Sequence, residues 1–216
     1  AGAVIPFLMG RWSHWVFIGC TLAVWVAATA VYNIIDRGRN MKGGFFAKLV
    51  QHPRAFWGMQ LAHIGVAVFV IGVALVKGYP AERNVRMYVG EQVTVAEYTF
   101  VFNGTKETRG ANYQAVEGDF TVLKAGKELT HLYPQKRNYF SSRSMPMTEA
   151  AIRHSITGDV YVSLGEPTPD GAWIVRAYAK PFVTWIWWGA ILMALGGVLA
   201  MSDKRYRVRR RKTVSE

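Results

Sequence analysis

The chain has 216 residues; 51% are hydrophobic, 19% are charged, and the mean hydropathy is +0.09. This excludes a disordered tail, a coiled coil and a collagen-like chain, and argues against an ordinary soluble globule. The net charge is +12, and the single cysteine, Cys20, excludes an internal disulfide framework and a thiolate zinc site.

Residues 1–14 open with AGAVIPFLMG, apolar but too short to cross a membrane. They read as the end of an earlier span and an outer segment. With no initiator Met, the chain is expected to be a fragment of a larger protein or one part of a split one. No basic region precedes the apolar stretch, so a signal peptide fits poorly. Residues 15–35 carry no charged side chain and predict the first transmembrane helix. Residues 36–55 form a basic loop with Arg37, Arg39, Lys42, Lys48 and Arg54 against Asp36. Residues 56–76 predict a second span, broken only by Gln60 and His63, and residues 182–201 an uncharged third. About 20 apolar residues at 1.5 Å rise cross a hydrocarbon core of roughly 30 Å. Residues 202–216 form a tail with Lys204, Arg205, Arg207, Arg209, Arg210, Arg211 and Lys212.

The charge excess sits beside the apolar runs, whereas Gly78–Lys180 is nearly balanced. That is the positive-inside pattern of a multi-pass protein in a lipid membrane, not a nucleic-acid footprint, so no nucleic-acid partner is expected. The loop and the tail are expected to be cytoplasmic, with the intervening domain periplasmic in a bacterial inner (plasma) membrane. Trp12, Trp15, Trp57, Trp185, Trp187 and Trp188 flank the spans as interfacial anchors do.

Residues 77–181 read as an all-β domain. NVRMYVGEQVTV alternates and turns at Gly90-Glu91; EYTFVFNG places Tyr98, Phe100 and Phe102 on one face and is expected to end at Asn103-Gly104. YQAVEGDFTVLKAGKEL turns at Ala125-Gly126, and EPTPDG separates DVYVSLGE from GAWIVRAYAK. Short strands with regular turns predict a small antiparallel sandwich or barrel, so the fold class is an α-helical membrane protein with an extramembrane all-β domain. Thr148–Ile156 is compatible with a short helix or a strand.

No hydrolase elbow, P-loop, dinucleotide fingerprint, HExxH, CxxC or CxxCH is present. Glu82, Arg83 and Glu149 read as surface or turn residues. His14 is interfacial, His52 leads into a helix behind Pro53, and His131 and His154 have no second ligand at short spacing. His63 differs. It lies eight residues past Ala55 inside the second span, about 12 Å from the helix's inner end. An ionisable group at that depth is costly and marks a functional site. The alternative is a neutral histidine bonded to a neighbouring helix, with Gln60 one turn away as a candidate partner. A neutral imidazole in an apolar shell also suits axial ligation of haem iron, and Ala62, Gly65 and Ala67 would let a flat macrocycle approach.

The run WGMQLAHIGVAVFVIGVALVKGYPAERNVRMYVGEQVTVAEYTFVFNGTKETRGANYQAVEG, followed by LYPQKRNYF, MTEAAI, DVYVSLGE, GAWIVRAYAKPFVTWIWWGAILMALGG and DKRYR, resembles the C-terminal third of the CcmF family from about Pro6 to Arg207. The family is the large haem-lyase membrane subunit of bacterial cytochrome c maturation. The resemblance implies a role in joining haem, delivered by the chaperone CcmE, to the CxxCH thiols of apocytochrome c. It implies partnership with CcmH- and CcmI-type subunits and with the remaining N-terminal part of CcmF. It also implies a transmembrane haem b held by two histidines on separate helices, one of them His63 as an axial iron ligand. The family's WWD motif, its two flanking histidines and the first transmembrane ligand are absent, and Trp185–Trp188 is not that motif. The chain alone is therefore expected not to be catalytic, and no catalytic residue is assigned. Met59 and Met193 are conceivable alternative ligands to the iron, though not the family's pattern. A second class of function is a non-catalytic membrane scaffold or transport and assembly subunit with an exposed β domain.

Overall fold

The computed structural model describes residues 4, 7, 11–39, 51–141 and 146–203. The expected remnant of an earlier span (residues 1–10, apart from 4 and 7), the loop lysines Lys42 and Lys48 and the basic tail from Lys204 lie outside these residues. The described chain separates into a helical unit, up to Gly78 and again from Val183, and a β unit, Tyr79–Phe182.

The helical unit contains α1 (His14–Arg39), α2 (Arg54–Gly78) and α3 (Val183–Met201). All three are long and apolar enough to cross a membrane. α1 opens behind Ser13, whose carbonyl accepts the Phe17 N–H at 3.0 Å, and runs past the uncharged stretch through Asp36, Arg37 and Arg39. Basic side chains in its last turn complement the helix dipole. α2 starts behind Pro53, which presets φ where its missing N–H costs nothing.

α2 packs against both other helices. Towards α3, glycines recur at heptad spacing on α2: Gly58 faces Gly196, Gly65 faces Gly189 and Met193, and Gly72 faces Ile186. A Cβ at Gly65 would lie 2.7 Å from the Met193 nitrogen and 2.9 Å from the Gly189 oxygen; one at Gly189 would lie 2.5 Å from the Phe69 nitrogen. The backbones are therefore in contact along the seam, where small residues replace the hydrophobic driving force that lipid does not supply. Gly19 on α1 meets Ala74 in the same way, at 2.9 Å.

The β unit is a sandwich. One sheet has β1 (Ala81–Met87), β10 (Trp173–Pro181), β9 (Gly158–Pro167) and β8 (Ala151–Arg153) as successive neighbours. The other has β2 (Gln92–Val95), β3 (Tyr98–Arg109), β4 (Tyr113–Lys124), β6 (Gln135–Tyr139) and β7 (Met147–Glu149), with β5 (Lys127–Leu132) also paired to β4. All pairs are antiparallel. Inward-facing Met87, Phe100, Phe102, Phe120, Val162, Leu164 and Val175 fill the space between the sheets, with Phe102 and Phe120 stacked at 4.9 Å. The Thr148–Ile156 stretch contributes strands: β7 and β8 place neighbouring residues in opposite sheets and join their edges. The Asn103-Gly104 signal does not end β3. The register shifts there, Gly104 takes φ +134°, and the strand continues to Arg109. This is a bulge that consumes the glycine without turning the chain.

Candidate functional site

His63 sits in α2, exposed in this chain. Its Nδ1 lies 2.7 Å from the carbonyl oxygen of Met59, one turn earlier. That carbonyl can only accept, so Nδ1 carries the proton in the neutral ring, and among the described residues the Nε2 lone pair is left free. Helical geometry explains the exposure. His63 is far around the helix from Gly58, Gly65 and Gly72, the side given to α3. Met59 and Val66, spaced to share its face, are 38% and 36% exposed. A polar imidazole with a free nitrogen on an otherwise apolar, uncovered face suits a ligand or another helix far better than hydrocarbon.

Two expectations about its surroundings change. Gln60 does not bond to His63. Its side chain is buried, 2% exposed, and its Nε2 has no hydrogen-bond partner among the described residues. Ala62 and Gly65 do not flank an approach to His63: Gly65 is against Met193 and Gly189, and Ala62 against Gly196. Those small residues let α3 approach, not a macrocycle on the His63 side. Met193 belongs to the same α2–α3 seam. Met59 shares the helix and the face of His63, so it cannot stand opposite it across an iron.

Among the described residues no group of three or more His, Cys, Asp or Glu side chains is arranged to hold a metal ion. His14 begins α1, with Nδ1 3.3 Å from the indole Nε1 of Trp12. His52 is buried and stacks on Phe56 at 4.4 Å. His154 bonds Asp159 at 2.8 Å, and Asp159, 4% exposed, also accepts the Ser155 N–H at 3.2 Å, which ties down the turn before β9. His131 lies between Asp119 at 3.4 Å and Glu128 at 3.2 Å on the sandwich surface. Glu149 pairs with Arg137 at 3.4 Å. These are structural contacts, and none brings a second imidazole to His63.

The β unit has its own polar fastenings. Lys106 pairs with Glu117 at 2.9 Å, and the hydrogen bond holds the lysine up and the carboxyl down from their ordinary ranges. Asp170, in the β9–β10 turn, pairs with Arg86 at 3.0 Å and takes the Tyr88 hydroxyl proton bond. Hydrogen bonds from Thr168 and Tyr88 lower its carboxyl to about 2.

Comparison with known proteins finds relatives of this chain. A family profile described as "CcmF C-terminal beta-sandwich" matches residues 78–181. The chain is 45% identical over 195 residues to the cytochrome c-type biogenesis protein CcmF of Pseudomonas aeruginosa, covering 90% of this chain and 29% of that protein. It is 44% identical over 193 residues to the CcmF of Escherichia coli, covering 89% and 28%. A solved structure titled "Cytochrome c Heme Lyase CcmF" superposes with a TM-score of 0.75 at 21% identity, covering 94% of this chain and 33% of that one. The chain thus spans about a third of the length of these relatives.

Proposed function

The chain belongs to the CcmF family of cytochrome c biogenesis proteins, matching its C-terminal part, and from that premise we propose that it is the part of a haem lyase that supplies one axial ligand, His63, to a transmembrane haem b. The observation that carries this reading is the pairing of a fixed tautomer with an uncovered face. The Met59 carbonyl holds Nδ1–H at 2.7 Å, and Nε2 is presented away from the α3 seam on an apolar surface. Metal-bound histidines are usually oriented by such a bond from the other ring nitrogen, which also raises ligand basicity.

The residues present suit a haem edge: a neutral imidazole donor, with Met59 and Val66 as apolar neighbours on the same face. A second ligand would come from a helix outside the described residues. When bound, such a haem supplies one-electron chemistry. The role of this chain is to fix the imidazole by its helix and its Met59 bond. Its apolar spans exclude water.

On this reading the protein lies in a bacterial inner membrane, with the loop between α1 and α2 and the tail cytoplasmic and the β unit periplasmic. The β unit, with β7 and β8 as end strands of its two sheets, serves as a docking platform for other components of cytochrome c maturation. By resemblance these are the CcmE haem donor, CcmH- or CcmI-type subunits and apocytochrome c. The test is complementation of a strain lacking the complete protein. His63→Ala, present at normal level, is expected to lower the yield of mature cytochrome c strongly. Wild-type yield from that variant would overturn the assignment and favour the non-catalytic scaffold.

A further inference from the structure

The outer face of the four-stranded sheet carries one row of side chains across all its strands. Ile152, Tyr161, Tyr178 and Glu82 are successive cross-strand partners. Tyr161 and Tyr178 stack with ring centroids 4.4 Å apart and 11° between planes. Lys180 Nζ lies over both rings, at 5.4 and 5.7 Å, and a hydrogen bond with Tyr161 holds the ammonium above the ordinary lysine range. Ile152 is 49% exposed, and Ile156, in the following turn, is 71% exposed. That turn is anchored: the Phe182 N–H donates to the Thr157 carbonyl at 3.2 Å.

The row is close along the chain to two of the apolar helices. Phe182 directly precedes Val183, the first residue of α3, and Glu82 follows closely after Gly78, the last residue of α2. Lys180 is three residues from α3, at most about 10 Å of extended chain. Along the chain, the row is thus within a few residues of two apolar helices long enough to span a membrane. Exposed isoleucines beside stacked tyrosines and a lysine match the interfacial zone of a bilayer, where apolar bodies meet acyl chains and polar tips meet headgroups.

We propose that this rim is a membrane-docking surface: Ile152 and Ile156 enter the interfacial layer of the bilayer, and Lys180, seated on the two tyrosine rings, meets phospholipid phosphate. Tyrosine hydroxyls and the Lys180 ammonium supply hydrogen bonds and charge to the headgroups, while the isoleucines bury apolar area. The inference does not depend on His63.

The test uses the full chain in phospholipid nanodiscs, with Cys20→Ala removing the native thiol. Nitroxides are attached at Ile152→Cys or Ile156→Cys, and at Pro169→Cys as the control. Pro169 is exposed in the turn at the other end of the β9–β10 hairpin, more than ~20 Å away at about 3.3 Å per strand residue. Power saturation compares collision with oxygen, which concentrates in lipid, and with a water-soluble nickel chelate. The expected result is an oxygen-to-nickel ratio several-fold higher at 152 and 156 than at 169, falling towards the control when Lys180→Glu is added. Nickel access equal to that at 169 would overturn the proposal, and so would shielding from both reagents, which would mean that protein covers the rim. Both isoleucines are exposed, and thermal unfolding of each labelled chain checks that the sandwich is intact.

Discussion

Asp203 Oδ2 accepts a hydrogen bond from the main-chain N–H of Ala55 at 2.9 Å, tying the end of α3 to the first turn of α2. Asp203 is 5% exposed. It satisfies one of the orphan donors of α2 and places a carboxylate at the positive end of that helix. Asp203→Ala is expected to cost about 1 kcal/mol, as for loss of an N-cap, and Asp203→Asn less. Thermal unfolding in detergent checks the order; an Ala variant as stable as the parent would refute it.

The glycine seam gives a sharper contrast. Gly65→Ala puts a methyl within 2.7 Å of the Met193 backbone, whereas Gly197, one residue past the seam glycine Gly196, has nothing within 4 Å of its would-be Cβ. Gly65→Ala should cost about 1–3 kcal/mol, the usual range for overpacking, while Gly197→Ala should be neutral or slightly stabilising. Unfolding of the helical unit in a mixed-micelle titration distinguishes them.

At the β4–β5 turn, Ala125 adopts φ +50° and Gly126 φ +75°. Two successive positive φ values suit Asn-Gly better than Ala-Gly. Ala125→Asn is expected to raise stability by about 0.5 kcal/mol, because asparagine tolerates the left-handed region that strains alanine. A lowered melting temperature would contradict this.

Asp170 sets a pH dependence. Its carboxyl is lowered from 3.8 to about 2 in the fold, first by Thr168 and then by Tyr88. A depressed folded value stabilises fully above the unfolded value and is lost as pH falls through the folded one. The melting-temperature gap between the parent and Asp170→Asn should be widest above about pH 4 and close towards pH 2. A gap that is constant with pH would show that the carboxylate charge is not what the turn uses.

Much of the architecture was legible because its signals are physical and local. Uncharged runs marked the three helices, and Ala125-Gly126 and the EPTPDG cluster marked turns that the backbone makes. Other features depended on tertiary context. Asn103-Gly104 has the chemistry of a turn, but the sandwich uses Gly104 as a bulge within a strand whose core residues continue on both sides. Gly65 beside His63 suggested room for a macrocycle, yet helical phase gives that glycine to α3. Depth singled out His63; only the packing of α2 revealed which face it occupies and that Met59, not Gln60, holds its ring.

The most direct test of the central claim is the reduced-minus-oxidised absorption spectrum of the complete protein carrying His63→Gly, purified at parental level. The ligand assignment predicts loss or strong shift of the b-type Soret and α bands, with partial recovery on adding imidazole to fill the vacated position. An unchanged spectrum without imidazole would contradict it, leaving His63 a structural residue of α2.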